Sequence, residues 1–326
     1  GGLLMLKIHF LNVGHGDCTL LEFPSGRTTL IDINNSKVVD KKTEEELASG
    51  SNMYNQYQLE GYKGLELLKK SVVNFVEPVD PIDYIHDNLG YGGDIFRFIL
   101  THPDMDHMNG LYKLKDEQIN IINFWDTDNK KEVRKSEVSN EFDYRDWETY
   151  QELRISNDNP KVLKILKGDQ RDFFNEDNIN ILSPTEDIIH KANENEKWNL
   201  LSYILLIEYA GHKIVLGGDA DAEVWDELAE SDEGFLNDVS ILKASHHGRD
   251  SGYSQKAVSI MKPDWTICSV GKKPAQDSSN KYKYYTNKKV LSTRFRGNIV
   301  AEISSNGNLK MYCEDNHSKD DELHPL

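Results

Sequence analysis

Phe98–Gly110 reads FILTHPDMDHMNG, and within it His102, Asp104, Asp106 and His107 fall inside six residues, directly after an apolar run. Two imidazoles and two carboxylates contribute nothing to a hydrophobic core, and each is costly to bury without a partner. Crowded together they are the donor types that a divalent cation takes. A cation site on this stretch is the first expectation.

The residues before it, DIFRFIL, read as a buried strand, so the cluster begins on the loop at the strand's C-terminal end. Three other apolar runs end the same way: Asp32 follows TTLI, Asp219 follows IVLGG, and His246 with His247 follows SILKAS. A side chain at a strand exit sits on a rigid scaffold and faces an open edge, which suits ligands and catalytic groups. Each has a plain structural reading as well: a turn cap for Asp32, a helix N-cap for Asp219 before ADAEVWDEL, a surface turn for the histidine pair. Four such exits in one chain point to a common centre, with ligands enough for two ions roughly 3.5–4 Å apart.

The 326 residues are 38% hydrophobic and 29% charged, which is enough apolar material for a sizeable core in a folded chain. A net charge of -17 argues against a generally basic nucleic-acid coat or an anionic membrane partner, though not against a local basic groove. Cys18, Cys268 and Cys313 are scattered without CxxC spacing and read as buried reduced thiols. No run approaches the ~20 apolar residues of a membrane span, and the residues before Met5 are too few for a leader, so the expected location is cytoplasmic.

MLKIHFL, CTLLEF and TTLIDI read as an opening strand meander separated by the Gly-rich turns NVGHGD and PSGR. Residues 34–93 read as an inserted surface excursion, helical over Leu59–Val73 and irregular across EPVDPIDY. EFDYRDWETYQELRI has an amphipathic helix pattern. LLSYILLIEYA, HKIVLGGD, DVSILKASHHG and DWTICSVG read as strands, with helices near Ala222–Glu230 and Ser254–Met261. NIVAEIS and LKMYC close the fold, and 314–326 is an acidic tail. The expected class is α/β: two sheets, each clothed by helices, in a single domain over 5–313.

HFLNVGHGDCTLLEFPSGRTTLIDI, LTHPDMDHMNG, NLLSYILLIEYAGHKIVLGGDAD and LKASHHG, in this order, resemble the successive motifs of the metallo-β-lactamase-fold superfamily, specifically its ComEC-like branch. The resemblance implies a four-layer αβ/βα sandwich with two divalent ions. It makes His102 a ligand of the first ion, gives Asp106 and His107 to the second, and has Asp219 bridge both. His246 completes the second site on this reading, with His247 as a proton donor or substrate contact. Asp32 is implied to orient the metal-bound histidines.

Two departures from the HxHxDH pattern stand out. Asp104 replaces the middle histidine, and Asn199 and Ser202 lie where a further histidine would complete the first site. Both make that site more oxygen-rich, favouring Mn²⁺ or Mg²⁺ over Zn²⁺, with one ion held firmly and the other arriving with substrate. The implied activity is hydrolysis of a DNA strand, single-stranded for preference, by a freestanding relative without a membrane channel. Arg249, Lys272, Lys273, Arg294 and Arg296, interleaved with Tyr282, Tyr284, Tyr285 and Phe295, have the composition of a single-strand groove. The alternatives are a hydrolase of a small phosphodiester, ester or lactone, and a non-catalytic nucleic-acid or nucleotide-sensing module of a multi-protein defence system, with a protein partner.

Overall fold

The computed structural model describes residues 4–36, 76–231, 234–269 and 278–314. The helix expected over Leu59–Val73, most of the 34–93 excursion, Lys272, Lys273 and the tail beyond 314 lie outside these residues. β1 (Met5–Phe10), β2 (Thr19–Glu22) and β3 (Thr28–Ile31) form the expected antiparallel meander, with Ile8 opposite Leu21 and Leu20 opposite Leu30. β4 (Ile95–Ile99), β5 (Ile121–Asp126) and β6 (Lys161–Lys164) then extend the sheet in parallel from β3.

The chain crosses to a second sheet at β7 (Ile179–Ser183), which pairs antiparallel with β8 (Ile204–Tyr209), as β8 does with β9 (His212–Leu216). β10 (Ile241–Lys243), β11 (Trp265–Cys268) and β12 (Lys289–Ser292) continue from β9 in parallel. β13 (Ile299–Ser304) and β14 (Leu309–Cys313) return to the first sheet, where β13 lies antiparallel to β1 and closes the fold beside the first strand.

Strand alternation sends successive side chains to opposite faces, and the apolar residues divide accordingly. Inward residues, among them Phe10, Ile99, Leu205 and Ile241, meet between the sheets. Phe98 and Phe124 point outward under α1 (Pro81–Leu89), α2 (Leu111–Asp116) and α3 (Tyr144–Leu153), against Ile85, Leu114 and Trp147. On the other side Leu206, Val215 and Leu242 pack against α4 (Glu186–Asn195), α5 (Ala222–Glu230) and α6 (Gln255–Met261) through Ala192, Trp225 and Val258. Three apolar strata between four layers give the αβ/βα sandwich. Among the described residues no helix is long and apolar enough to cross a membrane.

One local expectation is corrected. EPVDPIDY enters a regular helix at Pro81, because Asp80 caps it by accepting from the Ile82 N–H and proline stands in the first turn, where its missing N–H costs no helical bond. The parallel strands β3, β4, β9 and β10 all run out at one edge of the sandwich, the usual place for a site in sheets of this kind. Their exit loops carry Asp32, the 102–107 cluster, Asp219 and the histidine pair.

Candidate metal centre

Asp32 is the pin of the centre. Its carboxylate accepts from the Thr101 N–H, the Thr101 hydroxyl and His107 Nδ1, each at 2.7 Å, tying the β3 exit to the β4 exit. With Nδ1 engaged, His107 turns Nε2 toward Asp219, 3.3 Å from Oδ2. His247 repeats the arrangement from the other sheet. Its Nδ1 lies 3.3 Å from Asp17 Oδ1 and its Nε2 lies 3.2 Å from the same Asp219 oxygen. Asp17 is itself paired with Lys243, both side chains fully enclosed. Asp106 Oδ2 faces the group from the remaining side, 3.5 Å from His247 Nε2 and 3.2 Å from His15 Nε2.

The backbone is shaped to let these loops meet. Gly16 has φ +137°, and a Cβ there would stand 2.3 Å from the Asp106 carbonyl oxygen. Gly218, at φ +50°, brings Asp219 under Ser202, whose hydroxyl accepts from the Asp219 N–H at 3.1 Å. Asp32, His246 and His247 take left-handed conformations that side chains with a Cβ rarely adopt. Such strain, gathered at one place, marks a functional site.

Asp17, His107, Asp219 and His247 each offer a donor atom, and these atoms lie within 4.8 Å of one another. Asp219 Oδ1, Asp17 Oδ1 and the Nε2 atoms of His102, His107 and His247 are buried with no hydrogen-bond partner. Orphaned buried polar atoms are costly, and a cation at His107, His247 and Asp219 would satisfy those three. The donor set therefore fits a divalent ion. His107, His247 and Asp219 face it and Asp106 Oδ2 stands 3.5 Å from His247 Nε2, while Asp17 lies on the Nδ1 side of the His247 ring, as Asp32 does for His107.

Electrostatics agree. Burial opposes ionisation of Asp219, but His247 and His107 outweigh it and hold its carboxyl well below the carboxylate range. Burial likewise opposes a charge on either inner histidine. Asp219 with Asp32 raises His107, and Asp219 with Asp17 raises His247. The pocket is built for positive charge.

His246 stands at the mouth. Its Nε2 is 3.8 Å from Asp219 Oδ2, and its Nδ1 meets the Ser251 hydroxyl at 2.6 Å and Asn199 Nδ2 at 3.4 Å. Burial pushes the His246 pKa down to about 4, keeping the ring neutral near pH 7. Arg249 lies beside it, 3.5 Å from His246 Nε2 and 3.3 Å from His15 Nδ1. On the opposite flank His102 Nε2 is 3.5 Å from Asp104 Oδ2, and the other Asp104 oxygen holds Lys131. Burial opposes ionisation of Asp104, but His102 and Lys131 outweigh it and hold the carboxyl below the ordinary range.

The fold is the four-layer αβ/βα sandwich expected from the sequence. No protein-family model matches the chain, and no curated protein matches it. Among solved structures, the metallo-beta-lactamase fold protein YhfI from Bacillus subtilis covers 94% of this chain and 99% of its own length, at 10% identity and a TM-score of 0.46. Tm1679, a metal-dependent hydrolase of the beta-lactamase superfamily, covers 95% and 100%, at 12% identity and 0.41. A CmlA beta-hydroxylase variant covers 92% of this chain, which spans 54% of that protein, at 9% identity and 0.47. None of them assigns a role to a residue here.

The structure brings His102, Asp104, Asp106, His107, Asp219, His246, His247, Asp32, Asn199, Ser202 and Arg249 to one strand edge. It places His247 inside the donor group and His246 at its mouth, whereas the resemblance implies His246 as the ligand. The groove reading fares differently. Arg294 is buried, with its guanidinium 5.7 Å from the Phe295 ring centre, and Tyr282 is buried against Tyr253, so neither lines a solvent-facing groove. Arg296 is half-buried and Tyr284 exposed. Sequence reasoning missed His15, Asp17 and Lys131 as contributors, and read Lys243, which lies enclosed on Asp17, as groove charge. The turn NVGHGD carries the first two, and its imidazole and carboxylate between strands were the available signal.

Proposed function

We propose that the chain is a metal-dependent phosphodiester hydrolase of the ComEC-like branch, with a DNA strand as its substrate. The observation that carries this reading is the convergence of His107 Nε2 and His247 Nε2 on Asp219 Oδ2, with Asp32 bonded to His107 Nδ1 and Asp17 facing His247 Nδ1. A divalent ion at such donors supplies Lewis acidity and lowers the pKa of water, the chemistry that hydrolysis at phosphorus needs.

The chain's own groups do the rest. Arg249 faces the mouth with a planar fork suited to two phosphoryl oxygens. His246, kept neutral by burial, stands at the mouth between Arg249 on its Nε2 side and Ser251 and Asn199 on its Nδ1 side, placed to contact a leaving oxygen. Asp106, between His15 and His247, can take a proton from an incoming water.

A small phosphodiester is the second reading. With Arg294 and Tyr282 buried, the positive charge described at the mouth is Arg249, enough for a single phosphate. Metal-stripped protein resupplied with Mn²⁺ separates the two when given end-labelled single- and double-stranded DNA and a chromogenic diester, with Asp219→Ala alongside. Mn²⁺-dependent DNA products that vanish in the variant support the nuclease. Turnover of the diester alone supports the small substrate, and no turnover of either defeats both readings.

A further inference from the structure

The Asp104 flank differs from the rest of the centre. His107, His247 and Asp219 converge around one point, and among the described residues they belong to the one group of three or more close donors. His102 and Asp104 are not members of that donor group, although the His102 ring packs 4.2 Å from the His107 ring, and Lys131 sits on Asp104 Oδ1. We propose that the Lys131 ammonium takes the place of a second divalent ion, so that the centre holds one exchangeable metal and one cation built into the chain. This rests on the metal-hydrolase reading and says how many ions it uses.

Lys131 is no wandering surface side chain. It lies in the loop after β5 with its side chain 15% exposed, and its backbone N–H donates to Asn129 Oδ1 at 3.2 Å. Asn129 is buried, donates to the Tyr150 hydroxyl at 2.7 Å, and its carbonyl accepts from Arg154 at 2.9 Å. The neighbouring Lys130 N–H donates to Asn193 Oδ1 on α4 at 2.8 Å. The loop is therefore fixed at two points, and one of them is the adjoining buried network of Asp126, Tyr150 and Arg154. A lysine delivered on so constrained a backbone is positioned in advance, as functional cations are.

The charge balance is consistent. Asp106 and Asp219 offset one divalent ion, and Asp104 offsets Lys131. A second dication beside His102 and Asp104 would meet the ammonium at close range in a partly desolvated pocket, where like-charge repulsion is strong. Phosphoryl-transfer sites that rely on two ions use the second to neutralise developing charge. A fixed ammonium supplies part of that neutralisation without dissociating.

The test is the number of ions bound. The full chain, stripped and dialysed against Mn²⁺ and separately Zn²⁺, is assayed by elemental analysis, as are Lys131→Met and Lys131→Arg. The expected stoichiometry is one ion for the wild type and for Lys131→Arg, rising to two for Lys131→Met, with Mn²⁺ spin coupling visible by electron paramagnetic resonance in that variant alone. Two ions in the wild type overturn the proposal, as does a folded Lys131→Met that still binds one. Should Lys131→Met not fold, Lys131→Gln replaces it under the same criteria. Zero ions in the wild type instead defeat the underlying metal-hydrolase reading, and the proposal falls with it.

Discussion

His107 and His247 come from different sheets and direct their Nε2 atoms at one oxygen, Asp219 Oδ2, from 3.3 and 3.2 Å. His246 lies beside His247 in sequence but keeps its Nδ1 on Ser251 and Asn199. His247→Ala is therefore expected to abolish tight Mn²⁺ binding, while His246→Ala changes it only a few-fold and lowers turnover. Thermal melts with and without Mn²⁺ check this. Metal at 100 times its dissociation constant stabilises by about 2.7 kcal/mol, a shift that should persist in the second variant and vanish in the first.

Asp32 fixes the His107 tautomer by accepting at Nδ1. In Asp32→Asn an amide NH₂ can face that nitrogen, which then accepts and moves the ring proton to Nε2, where an ion needs a lone pair. The expected loss is about 10- to 100-fold in metal affinity with the fold retained. Isothermal titration with Zn²⁺ measures it, and unchanged affinity would contradict the tautomer argument.

Lys243 and Asp17 form an enclosed ion pair beneath the centre. Lys243→Met leaves a buried carboxylate uncompensated and should cost about 3–5 kcal/mol. Adding Asp17→Asn removes that charge and should recover much of the loss. Urea unfolding of both singles and the double variant yields the coupling, and additive effects would rule out a direct pairing.

Asp146, in the first turn of α3, accepts from the Gly110 and Tyr112 N–H groups and so docks the helix on the end of the metal-ligand loop. Burial raises its carboxyl from 3.8 to about 6, against those two bonds. A raised acid contributes stability below its unfolded pKa and loses it as pH climbs through the folded value. Asp146→Asn mimics the neutral acid at every pH. Its stability relative to wild type should rise by about 2 kcal/mol between pH 4.5 and 7, and paired urea melts at these two values test the sign.

The strand edge was legible because apolar runs that stop at Asp32, His102 and Asp219 advertise where scaffold ends and chemistry begins. The choice between His246 and His247 was not, since two consecutive left-handed residues, at φ 50° and 57°, turn adjacent side chains in ways that sequence order does not reveal. Nor was the Asp17–Lys243 pair, whose members are 226 positions apart and meet only when the two sheets face each other. Arg294 and Tyr282 misled because composition reports a basic, aromatic stretch without saying which side chains turn inward. Pro81 misled for a local reason, since proline excludes a helix interior but favours its start.

The division of the centre between sheets has a consequence for how the chain is made. Asp17, Asp32, Asp106 and His107 leave the ribosome early, whereas Asp219 and His247 follow more than a hundred residues later, and β13 must still return to flank β1. A growing chain therefore carries half of the ligand set without its counterpart, and cannot hold a metal as the finished protein does. Because ion binding draws on folding already completed, capture of a metal at this donor group would be a late checkpoint that discriminates finished molecules from partial ones.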